Sequence, residues 1–524
     1  MPTPSSSSRV NSINKTGDNR IDPLLFGQRW ASQSISYSFP SQNSAWSTDS
    51  ASGYGPRNAG GEPWHPSFLP LSELDRSYFE LALQQWANVA NVHFNLITES
   101  SDSVGDIRVA YSETAGMADA EAWSYLPTGI AASGDIWINS TSDSAKVDWI
   151  PGDYAFLTVL HEIGHSLGLE HPFDDPSFPA TLDSMSTTIM SYSALPGDQN
   201  SFFDFYPTTP MPLDILAIQY VYGANNQYHQ EDTIYRYDDT KTYHETIWDS
   251  GGNDWITYAG GKEIAIIDLR EGEGSYIGNS VLAFDSAQNP DLAMNIWIAY
   301  NVVIENATGG VNDDLLIGND HANTLIGGEG ADDFIGRKGN DVLQGEGGID
   351  TAVYNGQRTQ YVVNKTQEGY TLVDSSGGDG SDTMVGVERL EFGDIGLALD
   401  LDGNAGLVAK LLGAVFGADA IDQADYVYAG LSLLDTGTTT DALATLALNV
   451  AGIQSNDGLV TLLWQNLFGG APTQNEKSPY VQMLDQGEIT QAGLTQAAAN
   501  TTINQANIDL VGLVQNGIEF NLVA

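Results

Sequence analysis

A chain of 524 residues is long enough to form several folded domains. It contains 68 acidic and 19 basic residues, for a net charge of −49, and no cysteine. This charge argues against nucleic acid and anionic membrane surfaces as partners, because phosphate recognition requires lysine and arginine. The lack of cysteine excludes disulfides and zinc–thiolate sites. No apolar run reaches the length of a membrane span, so no membrane insertion is expected.

The N-terminal segment, residues 1–22, is polar and has no apolar stretch of the kind found in secretory signal peptides. Its composition predicts disorder. Two interpretations remain open: a flexible tail, and a short propeptide that is removed by cleavage before Trp30.

Residues 23–225 alternate between predicted strands and helices. The strands are predicted at 35–40, 106–112 and 134–140. A long amphipathic helix is predicted over 71–92 from the spacing of Leu74, Tyr78, Leu81, Trp86 and Val89. A further helix is predicted over 212–225. This order favours an α/β domain with a mostly parallel sheet.

The stretch HEIGHSLGLEH, residues 161–171, has the spacing of a catalytic metal site. His161 and His165 are four residues apart, which places both imidazoles on one face of a helix. Gly168 permits a turn that can bring His171 to the same ion. Three protein ligands and an open position are what a catalytic zinc requires, and Glu162 is placed to reach a water at that position.

The alternative interpretation is a helix that is rich in histidine for structural reasons. The full pattern is expected by chance on the order of once in 10⁵ chains of this composition. The apolar segment before it, residues 154–160, also suits a buried helix. The metal site is therefore the favoured interpretation.

A methionine follows nineteen residues after His171, in the sequence TTIMSY (187–192). The histidine motif with this methionine turn resembles the metzincin zinc peptidases, and Tyr192 resembles the serralysin group in particular. The resemblance implies one zinc ion on His161, His165, His171 and Tyr192, with Met190 as the apolar floor beneath it. It also implies that Glu162 is the general base and that Tyr192 swings away to help hold the oxyanion.

The segment EAWSYLP (121–127) lies between two predicted strands. In metzincins an edge strand at this place pairs with an extended substrate by strand addition. The resemblance therefore implies that the substrate-binding residues are Ala122, Trp123, Ser124 and Tyr125.

Residues 226–395 contain a repeat of nine residues, which runs through five units from Gly309 to Val353. An apolar residue or alanine stands at the eighth position of each unit, and Asp or Asn stands at the sixth. This is the RTX nonapeptide, which predicts an all-β parallel β-roll that binds several calcium ions. Residues eighteen apart should stack. The predicted ligand positions are Gly309, Asp314, Asn323, Gly327, Asp332, Gly336, Asp341, Gly345 and Asp350. A flexible Gly/Asp-rich linker is the alternative, but it does not explain the eighth position.

Upstream of the repeats, TIWDSGGNDWITY (246–258) resembles an additional calcium loop of serralysins. Asp249, Gly251 and Asp254 match ligand positions there. The partner loop, residues 229–235, departs from the usual Arg and Gly, which puts this one ion in doubt.

Residues 396–524 carry only two basic residues, Lys410 and Lys477, and are predicted to form an α-helical domain with an internal duplication. The segment 411–437 is matched by 462–487, and each ends in the sequence LDxG. The second copy resembles a helical domain that often follows RTX repeats in secreted bacterial proteins. A cap for the open end of the roll is favoured over a module that binds a substrate or a surface.

The terminal sequence GIEFNLVA (517–524) resembles the uncleaved signals of type I export. The expected protein is a secreted, extracellular and monomeric zinc endopeptidase that acts on extended protein substrates and leaves the cell through a type I exporter. Two rivals remain: a non-catalytic RTX surface or binding protein that retains the zinc site, and a latent enzyme whose N-terminal segment covers the zinc through Asp18 or another early polar residue.

Overall fold

The structure, a computed structural model, describes residues 2–114 and 120–522. The chain separates into two compact units. The first comprises residues 1–263 and 267–304, and the second comprises residues 264–266 and 305–524. The boundary near residue 304 lies inside the region predicted to run from 226 to 395, so the division into four regions stays a prediction. No helix among the described residues is both long and apolar enough to cross a bilayer.

The helices of the first unit are α1 (Glu73–Val89), α2 (Tyr154–Leu167) and α3 (Pro212–Tyr222). Its strands are β1 (Val10–Ser12), β2 (Gln28–Trp30), β3 (Ser34–Ser38), β4 (His93–Leu96), β5 (Ile107–Ser112), β6 (Ala122–Ser124), β7 (Ile136–Asn139), β8 (Phe202–Phe203), β9 (Ile234–Tyr237), β10 (Glu245–Ile247), β11 (Trp255–Tyr258), β12 (Ile266–Asp268, which contains residues of both units), β13 (Gly274–Ser275), β14 (Val281–Phe284), β15 (Pro290–Ala293) and β16 (Ile296–Ile298).

The main sheet of the first unit has the strand order β4, β3, β5, β7, β6. The first four strands are parallel, and β6 pairs antiparallel with β7 at the edge. Strands β5 and β7 are almost entirely buried, which agrees with their apolar sequences. The mostly parallel sheet matches the arrangement predicted from the alternation of strands and helices.

Helix α1 begins at a capping box, in which Ser72 and Asp75 satisfy each other's backbone N–H groups. Its buried face contains Phe79, Leu83 and Trp86. The face predicted from the sequence was partly wrong, because Leu74 and Leu81 are exposed. Phe79, Leu83 and Trp86 follow the four- and three-residue spacing of one helical stripe, and the two leucines lie outside that stripe.

The N-terminal segment does not have the predicted disorder over residues 2–22. Strand β1 pairs antiparallel with β2, the Lys15 ammonium lies 3.2 Å from the Asp175 carboxylate, and the Tyr220 hydroxyl donates to the carbonyl of Asn14 at 2.9 Å. The prediction failed because composition measures only the segment's own apolar content, whereas its order comes from a strand edge elsewhere in the chain.

The remainder of the first unit consists of short strands. Strand β16 lies between β10 and β13, and β14 lies between β8 and β15. Strands β9 and β11 pair in parallel, with Ile234 opposite Trp255. This last pair brings the loop 229–235 beside the loop 249–254.

The strands of the second unit are β17 (Asn306–Thr308), β18 (Leu315–Ile317), β19 (Thr324–Glu329), β20 (Asp333–Ile335), β21 (Val342–Gly347), β22 (Thr351–Val353), β23 (Tyr361–Lys365), β24 (Tyr370–Asp374), β25 (Ser381–Val385), β26 (Arg389–Glu391), β27 (Gly396–Ala398) and β28 (Ile518–Phe520). Its helices are α4 (Asn404–Phe416), α5 (Ala424–Asp435), α6 (Thr440–Val450), α7 (Asn456–Phe468), α8 (Gln474–Asp485), α9 (Gln491–Ala499), α10 (Thr502–Asn507) and α11 (Leu510–Asn516).

The repeats form two strand ladders. Strands β17, β19, β21 and β25 pair in parallel, and so do β18, β20, β22 and β26. Within the repeats Leu316 faces Phe334 and Leu325 faces Leu343, each pair eighteen residues apart. All eighth-position side chains are fully buried, namely Leu316, Leu325, Phe334, Leu343 and Ala352. Each ladder then continues in antiparallel strands, β24 and β23 in one case and β27 and β28 in the other.

Helices α4 to α9 and α11 share one apolar core with residues of β27 and β28, including Ala398, Ile518 and Phe520. The segment predicted as an export signal therefore forms strand β28 and pairs with β27. Its last two residues, 523 and 524, lie outside the described residues.

Candidate metal centre and catalytic cleft

Helix α2 carries the first two histidines and ends where the sequence predicts. Its C-cap, Gly168, has φ +105, a conformation that favours glycine. A Cβ atom there would lie 2.6 Å from the carbonyl oxygen of Gln28, so glycine is also required by close packing. The turn at Gly168 leads the chain back toward His171.

The three imidazoles converge through their Nε2 atoms. The distance between Nε2 of His161 and Nε2 of His171 is 3.1 Å, and the corresponding distance from His165 to His171 is 3.0 Å. The Nδ1 atom of His161 donates to the carbonyl of Ile189 at 2.8 Å, and that of His165 donates to the carbonyl of Leu169 at 2.7 Å. These bonds place the proton on Nδ1 and leave Nε2 as an acceptor.

This arrangement fits a zinc ion. Unprotonated Nε2 atoms about 3 Å apart direct lone pairs at one another, which is unfavourable unless a cation lies between them. Burial lowers the pKa of His165 to about 3 and lowers the pKa of His161 and His171 as well, so all three rings are neutral at pH 7. Neutral imidazoles are the form that binds metal. The Tyr192 hydroxyl lies 2.8 Å from Nε2 of His171, within reach of the same ion.

Glu162 lies beside the histidines and is buried. Its Oε2 atom has no hydrogen-bond partner among the described residues. Burial raises the pKa of the carboxyl group to about 8. A buried carboxylate oxygen with no partner is costly unless a ligand supplies one, and water or substrate would do so here.

Met190 follows Ile189, whose carbonyl binds His161, and is fully buried. A Cβ atom on Gly164 of α2 would lie 2.7 Å from its sulfur, so the methionine packs directly against the helix that carries His161 and His165. This contact explains why glycine separates the two histidines. Its role as an apolar floor beneath a zinc ion stays a prediction.

Asp214 was not predicted, yet it holds the segment that positions His161. It is fully buried at the start of α3. Its carboxylate accepts from the Thr188 hydroxyl at 2.6 Å, from the N–H of Ile189 at 2.7 Å and from the N–H of Met211 at 2.9 Å. Ile189 in turn supplies the carbonyl that binds His161. An acidic residue in the first turn of an otherwise apolar helix is the signal that could have identified it.

A cleft of about 680 Å³ opens beside His161 and Glu162. Leu157, Ile189 and Tyr206 contribute to its lining, together with Tyr192. Polar side chains such as Thr158 and Gln199 also line it, so the wall combines apolar and polar groups. A cleft of this size accommodates side chains of a peptide.

Of the four residues predicted to bind substrate, only Ala122 lines the cleft. The indole N–H of Trp123 and the hydroxyl of Tyr125 both point to Oε1 of Glu62, at 3.3 Å and 2.9 Å, and thus into an aromatic cluster away from the histidines. Ser124 is bonded through its backbone to β7. Strand β6 is nevertheless the edge strand of the sheet, so main-chain pairing with a substrate stays a prediction.

The sixth-position carboxylates of the repeats are stacked along the two ladders as predicted from the eighteen-residue offset. The N–H of Asp314 donates to Asp332 Oδ1 at 2.8 Å, and the N–H of Asp332 donates to Asp350 Oδ1 at 2.9 Å. In the other ladder the N–H of Asn323 donates to Asp341 Oδ1 at 2.8 Å.

These carboxylates have the features of cation ligands. Asp332, Asp341 and Asp350 are buried, and each has one oxygen without a hydrogen-bond partner among the described residues. Burial raises their pKa to about 7, about 8 and about 6, respectively. Buried carboxylates of this kind require a cation or a proton, and oxygen ligands select a hard cation such as calcium.

A sixth repeat was missed because an insertion interrupts the period. The sequence GGDGSDTMV (377–385) matches the nonapeptide, but it begins 24 residues after Val353. Asp382 takes the sixth position: it is buried, and Oδ1 accepts from the N–H of Asp341 at 2.9 Å. In the other ladder Glu388 accepts from the N–H of Asp350 at 3.0 Å. A search for the pattern beyond the insertion would have found Asp382.

The two aspartates of the predicted additional calcium loop lie beside the loop 229–235, and each accepts a hydrogen bond from it. Asp249 is buried and accepts from the Tyr235 hydroxyl at 2.8 Å and from the N–H of Gly251 at 2.9 Å. Asp254 accepts from the N–H of Thr233 at 2.7 Å. Hydrogen bonds therefore join the two loops. An ion between them stays a prediction.

Comparisons with known proteins agree with this geometry. Residues 67–181 match the family model "Matrixin", and residues 213–385 match "Peptidase M10 serralysin C terminal". The chain is 35% identical over 290 residues to a serralysin from Photorhabdus laumondii subsp. laumondii, which covers 50% of this chain and 57% of that protein. It is 36% identical over 273 residues to serralysin C from Dickeya chrysanthemi, covering 48% and 54%.

It is also 34% identical over 288 residues to metalloprotease AprA from Pseudomonas entomophila, covering 49% of this chain and 56% of that protein. The matches span little more than half the length of these curated relatives. Between residues 67 and 385 this chain is therefore similar to the serralysin-type metzincins.

Proposed function

We propose that this protein is a zinc-dependent endopeptidase that hydrolyses peptide bonds of extended protein substrates. The observation that carries the proposal is the convergence of three neutral imidazoles beside a buried carboxylate, one oxygen of which has no hydrogen-bond partner among the described residues, at the edge of a cleft. The comparisons support the same class of protein.

His161, His165 and His171 would hold the zinc ion, with the Tyr192 hydroxyl as a further ligand. Zinc polarises a carbonyl group and makes a bound water more acidic. Glu162 takes a proton from the attacking water and passes it to the nitrogen of the leaving amine. Burial raises its pKa, which allows the carboxyl group to hold the proton between the two steps.

Tyr192 acts on the substrate carbonyl. Its side chain is 46% exposed, so the ring can move away from His171 without disturbing a packed core. The hydroxyl then donates to the oxygen on which negative charge develops. Burial of the phenol raises its pKa above the usual range, so the group stays protonated and able to donate.

Calcium stabilisation of the strand ladders is the second part of the proposal. Asp332, Asp341 and Asp350 supply buried carboxylate oxygens, and Asp382 and Glu388 extend the two series. Binding of calcium to the folded ladders alone would couple ion binding to folding. The repeats would then form a β-roll outside the cell, where calcium is abundant. This order of events is consistent with secretion in an unfolded form by a type I exporter. We also propose that the protein acts as a monomer.

The two rival functions have less support. A latent enzyme would need its N-terminal segment over the zinc, but none of the cleft-lining residues belongs to 2–22 within the described part of the chain. A non-catalytic binding protein would need a blocked or incomplete site, whereas the three ligands, the carboxylate and the phenol are all brought together.

Hydrolysis of azocasein by the wild type and by Glu162→Ala, in millimolar calcium, tests the proposal. Zinc content should be equal in the two proteins, and activity should fall by about three or more orders of magnitude in the variant. Glu73→Ala, which removes an exposed carboxylate on α1, should remain fully active. Substantial turnover by Glu162→Ala would contradict the role of that residue, and an inactive wild type with bound zinc would support a binding protein.

A further inference from the structure

Glu121 is a carboxylate of the catalytic cleft that the proposed mechanism does not use. It immediately precedes the edge strand β6 and lines the cleft. Its Oε2 atom accepts from the N–H of Ser144 at 3.1 Å, and among the described residues no hydrogen bond reaches Oε1. The side chain is half-buried. One oxygen of this carboxylate is therefore available to a substrate.

The carboxylate of Glu121 lies near a pair of aromatic rings. Burial raises the pKa of the Tyr154 phenol, and the negative charges of Glu121 and Glu162 raise it further. Such an interaction weakens with distance, so the Glu121 carboxylate is close to the phenol. The ring centroids of Tyr154 and Tyr206 are 5.2 Å apart, and both residues line the cleft. This end of the cleft thus combines a negative charge with aromatic surface.

Two turns of α2 separate these groups from the reaction centre. Tyr154 precedes Glu162 by eight residues, which corresponds to about 12 Å along the helix axis. Leu157 lies between them on the helix, is apolar and lines the same cleft. A substrate side chain that enters beside the scissile bond would therefore pass apolar surface before its tip reaches Glu121.

Arginine and lysine have the matching composition, since each has an apolar stem and a cationic tip. A guanidinium can also stack on an aromatic ring while it pairs with a carboxylate. The chain uses this combination elsewhere: the guanidinium carbon of Arg108 lies 3.4 Å from the ring centroid of Trp46, and its Nε donates to Glu99 at 2.8 Å. Arginine is therefore the side chain that fits this end of the cleft best.

No basic side chain of the described residues occupies this position. None of the cleft-lining residues is lysine or arginine. The neighbouring segment 115–119, which lies outside the described residues, contains neither in its sequence. Lys146 lies on the loop that bonds Glu121, but its ammonium pairs with Asp143 at 3.0 Å. An acidic side chain of a substrate would meet repulsion here.

We infer that Glu121 selects substrates with an arginine beside the scissile bond, whose guanidinium pairs with the Glu121 carboxylate and packs against Tyr154. Lysine should be accepted less well, because an ammonium group is not planar and cannot stack on the ring. This inference rests on the proposed peptidase activity and names the substrate class of the same site.

Cleavage of a mixed peptide library by the full-length protein in millimolar calcium tests the preference. Mass spectrometry of the products identifies the residues on both sides of each cleaved bond. We expect arginine to be enriched at one of these positions in wild-type digests, and the enrichment to be lost with Glu121→Gln. The amide of that variant retains an oxygen for the N–H of Ser144, so the loop should keep its position.

Matched peptides with arginine, norleucine or glutamate at the enriched position then give kcat/KM. The wild type should prefer arginine over norleucine by at least about tenfold and should cleave the glutamate peptide most slowly. Glu121→Gln should reduce the ratio of arginine to norleucine at least about fivefold, by slowing cleavage of the arginine peptide. Asp148→Asn removes an exposed carboxylate of the same loop that does not line the cleft. It should leave the ratio within about twofold of the wild type.

Three results would overturn the inference while the peptidase proposal stands, because cleavage is observed in each. They are equal use of arginine and norleucine by the wild type, a ratio that is unchanged in Glu121→Gln, and an equal loss in Asp148→Asn. The last would mean general attraction to an acidic surface. A wild type that cleaves no peptide would contradict both proposals.

Discussion

The histidine cleft and the carboxylate ladders both have the donor atoms of metal sites, but they are held in different ways. In the cleft, backbone carbonyls of Ile189 and Leu169 fix the rings of His161 and His165. In the ladders, Asp332 and Asp341 each have a buried oxygen without a partner in the described chain. Backbone hydrogen bonds therefore orient the ligand rings of the cleft, whereas the ladders contain several buried carboxyl groups that depend on a cation for their electrostatic balance.

Zinc should therefore mainly determine activity, and calcium should mainly determine stability. Loss of zinc should abolish activity and leave the fold of the first unit intact. Loss of calcium should destabilise the second unit, because the pKa values of its carboxyl groups are raised by burial and their ionised forms are unfavourable without a cation. Four substitutions test the contrast, beginning with the largest expected effect.

His165→Ala removes one zinc ligand from the cleft. We expect kcat/KM to fall by at least about 10⁴, or about 5 kcal/mol of transition-state stabilisation, while the protein stays folded at the assay temperature. His93→Ala replaces an exposed histidine on β4 and is the control. Peptidase assays and melting curves give both quantities. Unfolding of His165→Ala would show that the cleft also depends on its metal for stability.

Arg389→Gln breaks a buried ion pair at the end of a ladder. Arg389 has a side-chain exposure of 6% and contacts both Asp400 and Asp435. Removing the guanidinium leaves the Asp400 carboxylate, whose side chain is only 9% exposed, without a cation, and we expect the free energy of unfolding of the second unit to fall by about 3–5 kcal/mol. The surface variant Arg337→Gln should cost less than about 1 kcal/mol, because its pair with Asp320 is solvated. Equal losses in chemical denaturation would contradict this difference.

Asp341→Ala removes one proposed calcium ligand from the middle of a ladder. In millimolar calcium we expect a loss of about 2–3 kcal/mol of stability, corresponding to one ion bound well below that concentration. Hydrolysis of a short peptide per folded molecule should not change. Glu368→Ala, at an exposed turn, is the control. Calcium titrations followed by thermal denaturation measure the effect, and equal calcium dependence in wild type and Asp341→Ala would argue against the ladder site.

Tyr192→Phe removes only the phenolic hydroxyl. We expect kcat to fall by about 10- to 100-fold, with KM and zinc content close to those of the wild type, because one donor to the developing oxyanion is lost. Tyr220→Phe, whose hydroxyl bonds to Asn14 away from the cleft, should retain full kcat. An unchanged kcat in Tyr192→Phe would leave the phenol without a catalytic role.

The sequence was sufficient to predict the sites whose residues lie close together in the chain. The four-residue separation of His161 and His165 and the turn at Gly168 are local properties, and a nine-residue period specifies which side chains stack. Position Asp382 was missed because an insertion shifts the period, although the residues themselves follow the pattern.

Contacts between distant segments were harder to predict. The order of residues 2–22 comes from strand β2 and from Asp175 and Tyr220, and composition does not report such partners. Similarly, the direction of the Trp123 side chain depends on Glu62, which lies on another segment. Asp214 acts on His161 through Ile189, a chain of contacts that becomes visible only in three dimensions.

The most direct test of the zinc peptidase is removal and return of zinc at constant calcium. Azocasein hydrolysis is measured before treatment with a zinc-selective chelator, after treatment, and after addition of one equivalent of zinc, with a melting curve at each stage. We predict that activity falls to background and returns with zinc, while the zinc-free protein stays folded at the assay temperature with a lower melting temperature, because zinc binds the folded state. Hydrolysis that persists in zinc-free protein would contradict the assignment of His161, His165 and His171 as the ligands of a catalytic metal.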